Sequence, residues 1–262
     1  MSQYFKNFPL VGYKFGDEVS TSIFNNISVY SDLIDQVSDE VVFYQKYNIL
    51  DGERADTLSY KLYGTTDYHW TFYLLNEQLR ESGWPLTEQE ISEQLTKNFP
   101  DRAITSNCRD ITGTKLNSDV ADDNIGALFT VGQAITGYNS GHTGVIQDRQ
   151  IDIGQFIISS SNTNAFSTDQ YLTYNDDEGI TQYLRVISVT EEKNGVHHYE
   201  NSSGVWQDVD PFEITTRTPS GLVTKTFEDN FRERNDELRQ IKVFRKDIIR
   251  KVVSEYFKSV ES

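Results

Sequence analysis

The densest patterning of apolar positions lies between Val41 and Asn76. Val41, Val42, Phe43, Tyr44, Tyr47 and Ile49 make a β-branched and aromatic run of strand length, closed by the turn dipeptide Asp51-Gly52. Asp56 is placed to cap a short helix on which Leu58, Leu62 and Tyr63 share a face, and Gly64 supplies the left-handed residue that closes it. Thr65 to Tyr68 read as a turn with Asp67 as a second N-cap candidate, after which Trp70, Tyr73, Leu74 and Leu75 recur at helical spacing up to Asn76. The pattern predicts strand, helix, helix.

On either side the pattern changes. Residues 1–40 carry isolated aromatics and glycines with little helical period and predict an extended arm with short strands, lying on another subunit or on the same chain. Val29 to Ile34 fits a strand or a short helix. After Trp84-Pro85, Thr87 is placed to cap a helix with Ile91 and Leu95 on one face. The module and this helix together occupy 41–104, and the Thr, Ser, Asn and Asp of 105–118 predict a linker.

From 119 to 215 short β-type runs alternate with Gly, Asn, Ser and Asp. Ala127–Val131, Gly144–Ile146, Phe156–Ser159, Gln170–Tyr174 and Gln182–Val189 are the strand candidates, and Asn194-Gly195 suits a hairpin turn. Phe129-x-x-x-Gln133-x-Ile135-Thr136 recurs loosely as Phe166-x-x-x-Gln170-x-Leu172-Thr173, a duplicated strand pattern expected in a small β-barrel or sandwich. In 216–262 a charged stretch, Phe227 to Leu238, predicts a helix. Glu237 to Val243 alternates like a half-exposed strand. From about Lys246, Ile248, Ile249, Val252, Val253, Tyr256, Phe257 and Val260 line one face of a terminal helix. That face is expected to be buried against another chain or against the module.

Composition sharpens this. Hydrophobic residues make up 37% and aromatics 13%, which means small cores and much aromatic surface, as in an assembly subunit or a glycan binder. The net charge of -16 argues against nucleic acid or anionic membrane as a partner, yet residues 217–262 hold 11 basic and 8 acidic side chains. A basic tail is suited to an acidic neighbour or to the chain's own acidic body. The only cysteine, Cys108, excludes an internal disulfide and a multi-thiolate metal site. No transmembrane run and no secretion signal at Met1 to Lys6 is read, so synthesis in the cytoplasm is expected.

Catalytic sets are not found. Cys108 lacks a histidine context, and no serine sits in a Gly-x-Ser-x-Gly elbow. His197 and His198 are adjacent in a strand and so expected to face opposite ways, which would keep them from sharing a metal. Asp119, Asp122 and Asp123, and Asp176, Asp177 and Glu178, lack EF-hand spacing and read as solvated turns. No cofactor or metal is expected.

Tyr47-x-Ile49, Asp56-Thr57-Leu58-Ser59-x-x-Leu62-Tyr63-Gly64 and the closing Leu75-Asn76 resemble the LysM module, a small βααβ fold known chiefly for binding N-acetylglucosamine polymers. Asp51-Gly52-Glu53-Arg54, Tyr68-x-Trp70, Trp84-Pro85-Leu86-Thr87 and the C-terminal Leu238-Arg239-Gln240-Ile241-Lys242 resemble, more narrowly, the LysM-type baseplate wedge proteins of T-even-like contractile-tailed bacteriophages. The resemblance covers about 40–100 and 235–262; the middle departs from it as an inserted domain.

It implies the LysM-like βααβ module and the C-terminal strand plus helix; with the N-terminal arm and the inserted small all-β domain read from the pattern, the expected chain is α+β. It also implies a non-enzymatic structural role in the virion baseplate. The partners would be other wedge proteins of the same and the adjacent wedge, with the central hub as a further candidate. The interface candidates are Glu53, Arg54, Trp84, Ile241, Val243, Ile248, Val252 and Tyr256. Glu53 and Arg54 suit salt-bridged protein docking, while Trp84 is a candidate for exposed stacking with packing as the favoured reading. The rivals are a peptidoglycan or N-acetylglucosamine-binding module and, with least support, a cell-wall hydrolase.

Overall fold

Two short runs of the arm, β1 (Leu10–Tyr13) and β2 (Ser22–Asn25), pair antiparallel in the computed structural model, which describes residues 10–13, 21–25, 44–112, 125–160 and 164–261. The rest of the arm, the expected Val29–Ile34 element and Val41 to Phe43 lie outside the described residues. The chain is mixed α+β and divides into two units, Met1–Glu88 with Arg234–Ser262 and Gln89–Glu233.

In the first unit the run after position 40 forms β3 (Tyr44–Asn48), followed by α1 (Ala55–Tyr63), α2 (Trp70–Leu75) and α3 (Glu77–Ser82). Helix α1 buries Leu58 and Tyr63 and ends at Gly64, whose φ of 80° is the left-handed geometry that glycine adopts without steric cost. Its start differs from the expectation at Asp56. Arg54 is the cap residue, and its N–H donates to Thr57 Oγ1 at 3.1 Å, while Asp56 lies inside the first turn. Asp67 likewise caps nothing; it accepts from Thr65 Oγ1, and α2 begins at Trp70 after a tight turn. Glu77 to Glu81, which follow at once, are helical.

The partner of β3 comes from the far end of the chain. Strand β15 (Gln240–Phe244) pairs antiparallel with it, Gln240 opposite Asn48 and Phe244 opposite Tyr44. Ile241 and Val243 point into one core with Leu58, Phe72, Leu74 and Leu79, and the terminal helix adds Ile249, Val253 and Tyr256. The side chain of Val260 lies outside the described residues. The free edge of β15 is held by side-chain amides. Lys242 N–H donates to Asn76 Oδ1 at 2.7 Å, while Asn76 Nδ2 donates to the carbonyls of Lys242 and Phe72 at 2.8 and 2.7 Å. Tyr63 Oη donates to the Phe244 carbonyl at 3.0 Å, and burial raises the phenol's pKa well above its usual value. The chain leaves and re-enters this unit at one place: Leu86 N–H donates to Asn235 Oδ1 at 2.7 Å and Asn235 Nδ2 donates back to the Leu86 carbonyl at 3.2 Å.

The second unit opens with α4 (Glu88–Asn98), which buries Ile91 and Leu95 as its spacing predicts. Eight strands follow in one antiparallel sheet: β4 (Arg102–Thr105), β5 (Asp110–Thr112), β6 (Ala134–Gly137), β7 (Thr143–Gln150), β8 (Gln155–Ser159), β9 (Tyr171–Asn175), β10 (Thr181–Arg185) and β11 (Ser188–Glu191). Residues 102–112 run antiparallel along 182–191, Arg102 opposite Glu191 and Thr112 opposite Gln182. With β8 on β4 and β9 on β10, the ladder returns to its start through β7 and β6. The strands therefore close into a barrel of six staves, which removes the exposed edges of an open sheet.

The repeat has a structural counterpart. Phe129 and Phe166, both fully buried, sit in left-handed turns with φ of 51° and 66°. Each is followed by a strand, and those strands pair with Thr136 opposite Thr173, whose Oγ1 donates to the Thr136 carbonyl at 3.0 Å. Several expectations fail here. Ala127–Val131 is turn rather than strand, because Phe129 plugs the core from a loop. The expected linker 105–118 includes β5 and the buried Cys108, which bridges β4 and β5; residues 113–118 lie outside the described residues.

Asn194-Gly195 is not a hairpin turn either. It leads from β11, which pairs with β4, into β12 (Val196–Glu200), which pairs with β13 (Trp206–Gln207) and β14 (Val223–Thr226) in a separate three-stranded sheet. Gly195 is extended, and its absent side chain matters: a Cβ would lie 2.8 Å from the Ala103 Cβ and 2.8 Å from the Glu192 carbonyl oxygen. Helix α5 (Phe227–Arg239) takes in Glu237 to Arg239, so β15 begins later than the alternation suggests, and helix α6 (Ile249–Glu261) follows it.

Replacing Asn76 by Leu removes three hydrogen bonds and strands buried backbone groups, so it is expected to lower the stability of the first unit by about 3 kcal/mol, read as a urea-midpoint shift in tryptophan fluorescence. Because residues 86 and 235 touch, a chain with Gln89–Glu233 replaced by a short Gly-Ser linker is expected to keep the first unit folded. A cooperative thermal transition with dispersed methyl resonances checks this.

Candidate docking surface

Glu53, at the end of the β3–α1 loop, is engaged within its own unit. Tyr47 Oη donates to its carboxylate at 3.0 and 3.1 Å, Lys61 Nζ at 3.0 Å and Leu50 N–H at 3.2 Å. Burial pulls the Glu53 carboxyl upward, but the Lys61, Leu50 and Tyr47 donors outweigh it and hold the group below its usual pKa. Its neighbour Arg54 is the opposite case. With 80% of its side chain exposed and only Asp56 at 3.4 Å, it is available to a partner.

Trp84 packs rather than stacks outward. Its indole Nε1 donates to the Glu53 carbonyl at 2.7 Å, and the ring lies 6.0 Å from Phe72 and 6.1 Å from Tyr73. Ile241, Val243 and Tyr256, expected at an interface, are 2%, 0% and 1% exposed inside the core of the first unit, and Tyr256 sits 4.6 Å from Trp70. Ile248 and Val252 are partly buried against the same core. Of the two burials expected for the terminal apolar face, the structure shows the one within the chain. The reason is the pairing of β15 with β3, which brings α6 onto α2.

A site the sequence reading missed lies beside the strand pair, where β15 meets the α2–α3 junction at Leu75 and Asn76. A groove of about 830 Å³ is lined by Lys46, Asn48, Gln78, Arg80, Gln240 and Lys242, with Glu77 its one acidic group. Lys46 and Lys242 are directly opposite in register, so two ammonium stems rise side by side from one face. Lys242 Nζ rests 4.8 Å from the Tyr44 ring centroid, and Arg80 donates to the carbonyls of Tyr73 and Leu74. The clue was in the alternation Gln240-Ile241-Lys242-Val243, but only the register puts Lys242 against Lys46.

In the second unit the histidine expectation is overturned. A β-bulge between Val196 and His198 cancels the usual alternation, and the Nδ1 atoms of His197 and His198 approach to 2.9 Å. His198 Nε2 is 3.0 Å from Glu200 Oε1, and the ring stacks on Trp206 at 4.0 Å. Among the described residues no three His, Cys, Asp or Glu side chains are grouped to hold a metal. Cys108 is buried and its thiol is pushed up to about 12 by that burial, so it is protonated at neutral pH. Asp176 accepts from the N–H groups of Glu178 and Ile180 and from Gln182 Nε2, which fixes the β9–β10 turn and leaves Asp177 and Glu178 exposed. Asp119, Asp122 and Asp123 lie outside the described residues. No helix among the described residues is long and apolar enough to cross a membrane.

The Glu53 cluster gives a signed pH dependence. A lowered folded-state pKa means stabilisation that is present above the unfolded carboxylate value and lost as pH falls through the folded value. Glu53→Gln is expected to cost about 1 kcal/mol at neutral pH, with the difference from wild type shrinking in acid; urea midpoints across that range check it. Among known proteins, no family model and no curated sequence matches the chain.

Proposed function

We propose that the chain is a structural subunit of a contractile phage tail baseplate, joining wedge proteins to one another through a LysM-like βααβ module and catalysing nothing. The observation that carries this reading is the meeting of the two resembling stretches. Residues 44–84 and 238–257, far apart in sequence, share one core, and β15 stands where a βααβ module needs its closing strand. A β-barrel unit interrupts the module between its helices and that strand. The wedge resemblance lies in those same two stretches, so their union supports one module rather than two chance matches.

The rival reading, a glycan-binding module, uses the loops before the first and after the second helix of such a fold. Here the Glu53 carbonyl of the first loop is bonded by Trp84, the Glu53 carboxylate is bonded by Tyr47 and Lys61, and the second segment is helical. These groups are spent inside the module, which favours protein docking through exposed charge such as Arg54.

The tagged chain, expressed in cells producing the tail proteins, is expected to co-purify with wedge components and to travel with the tail tip in gradients. N-acetylglucosamine oligomers up to low millimolar concentration are expected to leave its tryptophan fluorescence unchanged. Saturable glycan binding together with absence from tails would overturn the proposal.

A further inference from the structure

The two units differ sharply in charge. Residues 89–233 hold 22 acidic and 10 basic side chains, whereas the first unit, residues 1–88 and 234–262, holds 18 acidic and 14 basic. Within the first unit the Lys46–Lys242 pair is a local excess of positive charge. Like charges directly opposite on adjacent strands destabilise the pairing, and no carboxylate of the described residues is within ion-pair distance of either ammonium. With the Arg80 guanidinium on the same groove, the amides of Asn48, Gln78 and Gln240 around it and Glu77 the one carboxylate, the site offers an excess of cations to an extended anionic segment.

The barrel supplies such a segment. The β9–β10 turn projects Asp177 and Glu178, both exposed and without an ion-pair partner among the described residues, and next to them Ile180 is 45% exposed. The turn is already shaped, because Asp176 holds the N–H groups of Glu178 and Ile180 at 3.0 and 2.8 Å. A pre-formed turn gives up little conformational entropy on docking.

We propose that the Lys46–Lys242 groove of one molecule receives the Asp177-Glu178 turn of a second copy of this chain. The contact is heterologous, groove to turn, so each molecule has one donor and one acceptor surface and copies can link in series. It does not rest on the wedge reading, since both surfaces belong to the isolated chain.

Sedimentation velocity of the full-length chain tests it. At low ionic strength the wild type is expected to associate with rising concentration and to dissociate at high salt, as screened surface charges do. Lys46→Glu with Lys242→Glu is expected to weaken association about tenfold or more, and Asp177→Lys with Glu178→Lys to do the same. Mixing the two variants joins reversed groove to reversed turn and unchanged groove to unchanged turn, and restores association. Lys46, Asp177 and Glu178 are exposed and Lys242 is half-buried, and unchanged circular dichroism confirms that each variant is folded. A wild type that stays monomeric throughout, a groove or turn variant that associates as the wild type does, or a mixture that fails to recover overturns the proposal. None of these outcomes bears on co-purification with tails, so this inference and the wedge reading fail separately.

Discussion

Everything in the first unit depends on the antiparallel pairing of β3 with β15. A two-stranded ribbon is at best marginally stable alone in water, because one face and both edges remain wet. Here one face is covered by α1, α2 and the terminal helix, and the edge of β15 is satisfied by the Asn76 amide, which presents a donor and an acceptor to Lys242 as a neighbouring strand would. Asn76 also ends α2 and precedes α3 with an extended backbone, so one residue lies at both the helix break and the sheet edge. Strand pairing brings the last helix onto Trp70 and turns an apolar face that might have served a partner into core.

The same device recurs in the barrel unit. Gln155, fully buried, donates from Nε2 to the Val196 carbonyl at 2.9 Å and accepts from Val196 N–H at 2.6 Å. It fastens the start of the three-stranded sheet to the barrel just where Gly195 leaves no room for a side chain. In both units a buried primary amide stands in for backbone, donating twice and accepting once, with no net charge to desolvate. The interruption of one unit by the other is tolerated for an equally local reason: Leu86 and Asn235 bond each other in both directions, so the insertion enters and leaves at one point.

Under the proposed assembly role, the division of polar groups has a simple logic. Glu53, Trp84 and Tyr47 are committed to holding the β3–α1 loop, which makes it rigid. The side chains left over are charged and reach solvent: Arg54 beside that loop, the opposed lysines on the groove, and the acids of the β9–β10 turn. Such groups add little to the fold and much to the choice and orientation of neighbours.

The amino-acid pattern by itself determined the local elements. Leu58, Tyr63 and Gly64 specified α1, Ile91 and Leu95 specified the buried face of α4, and the Phe129 and Phe166 repeats marked equivalent buried positions. These follow from side-chain periodicity and glycine's freedom at positive φ, which act within a few residues. Only the tertiary structure decided that β15 closes on β3, that Ile241, Val243 and Tyr256 are core rather than contact surface, and that a bulge puts His197 and His198 side by side. Periodicity says which residues will be buried but not against what, and strand register is set by partners far away in the chain. The opposed lysines were legible as two charged strand residues, and they became a site only when that register placed them face to face.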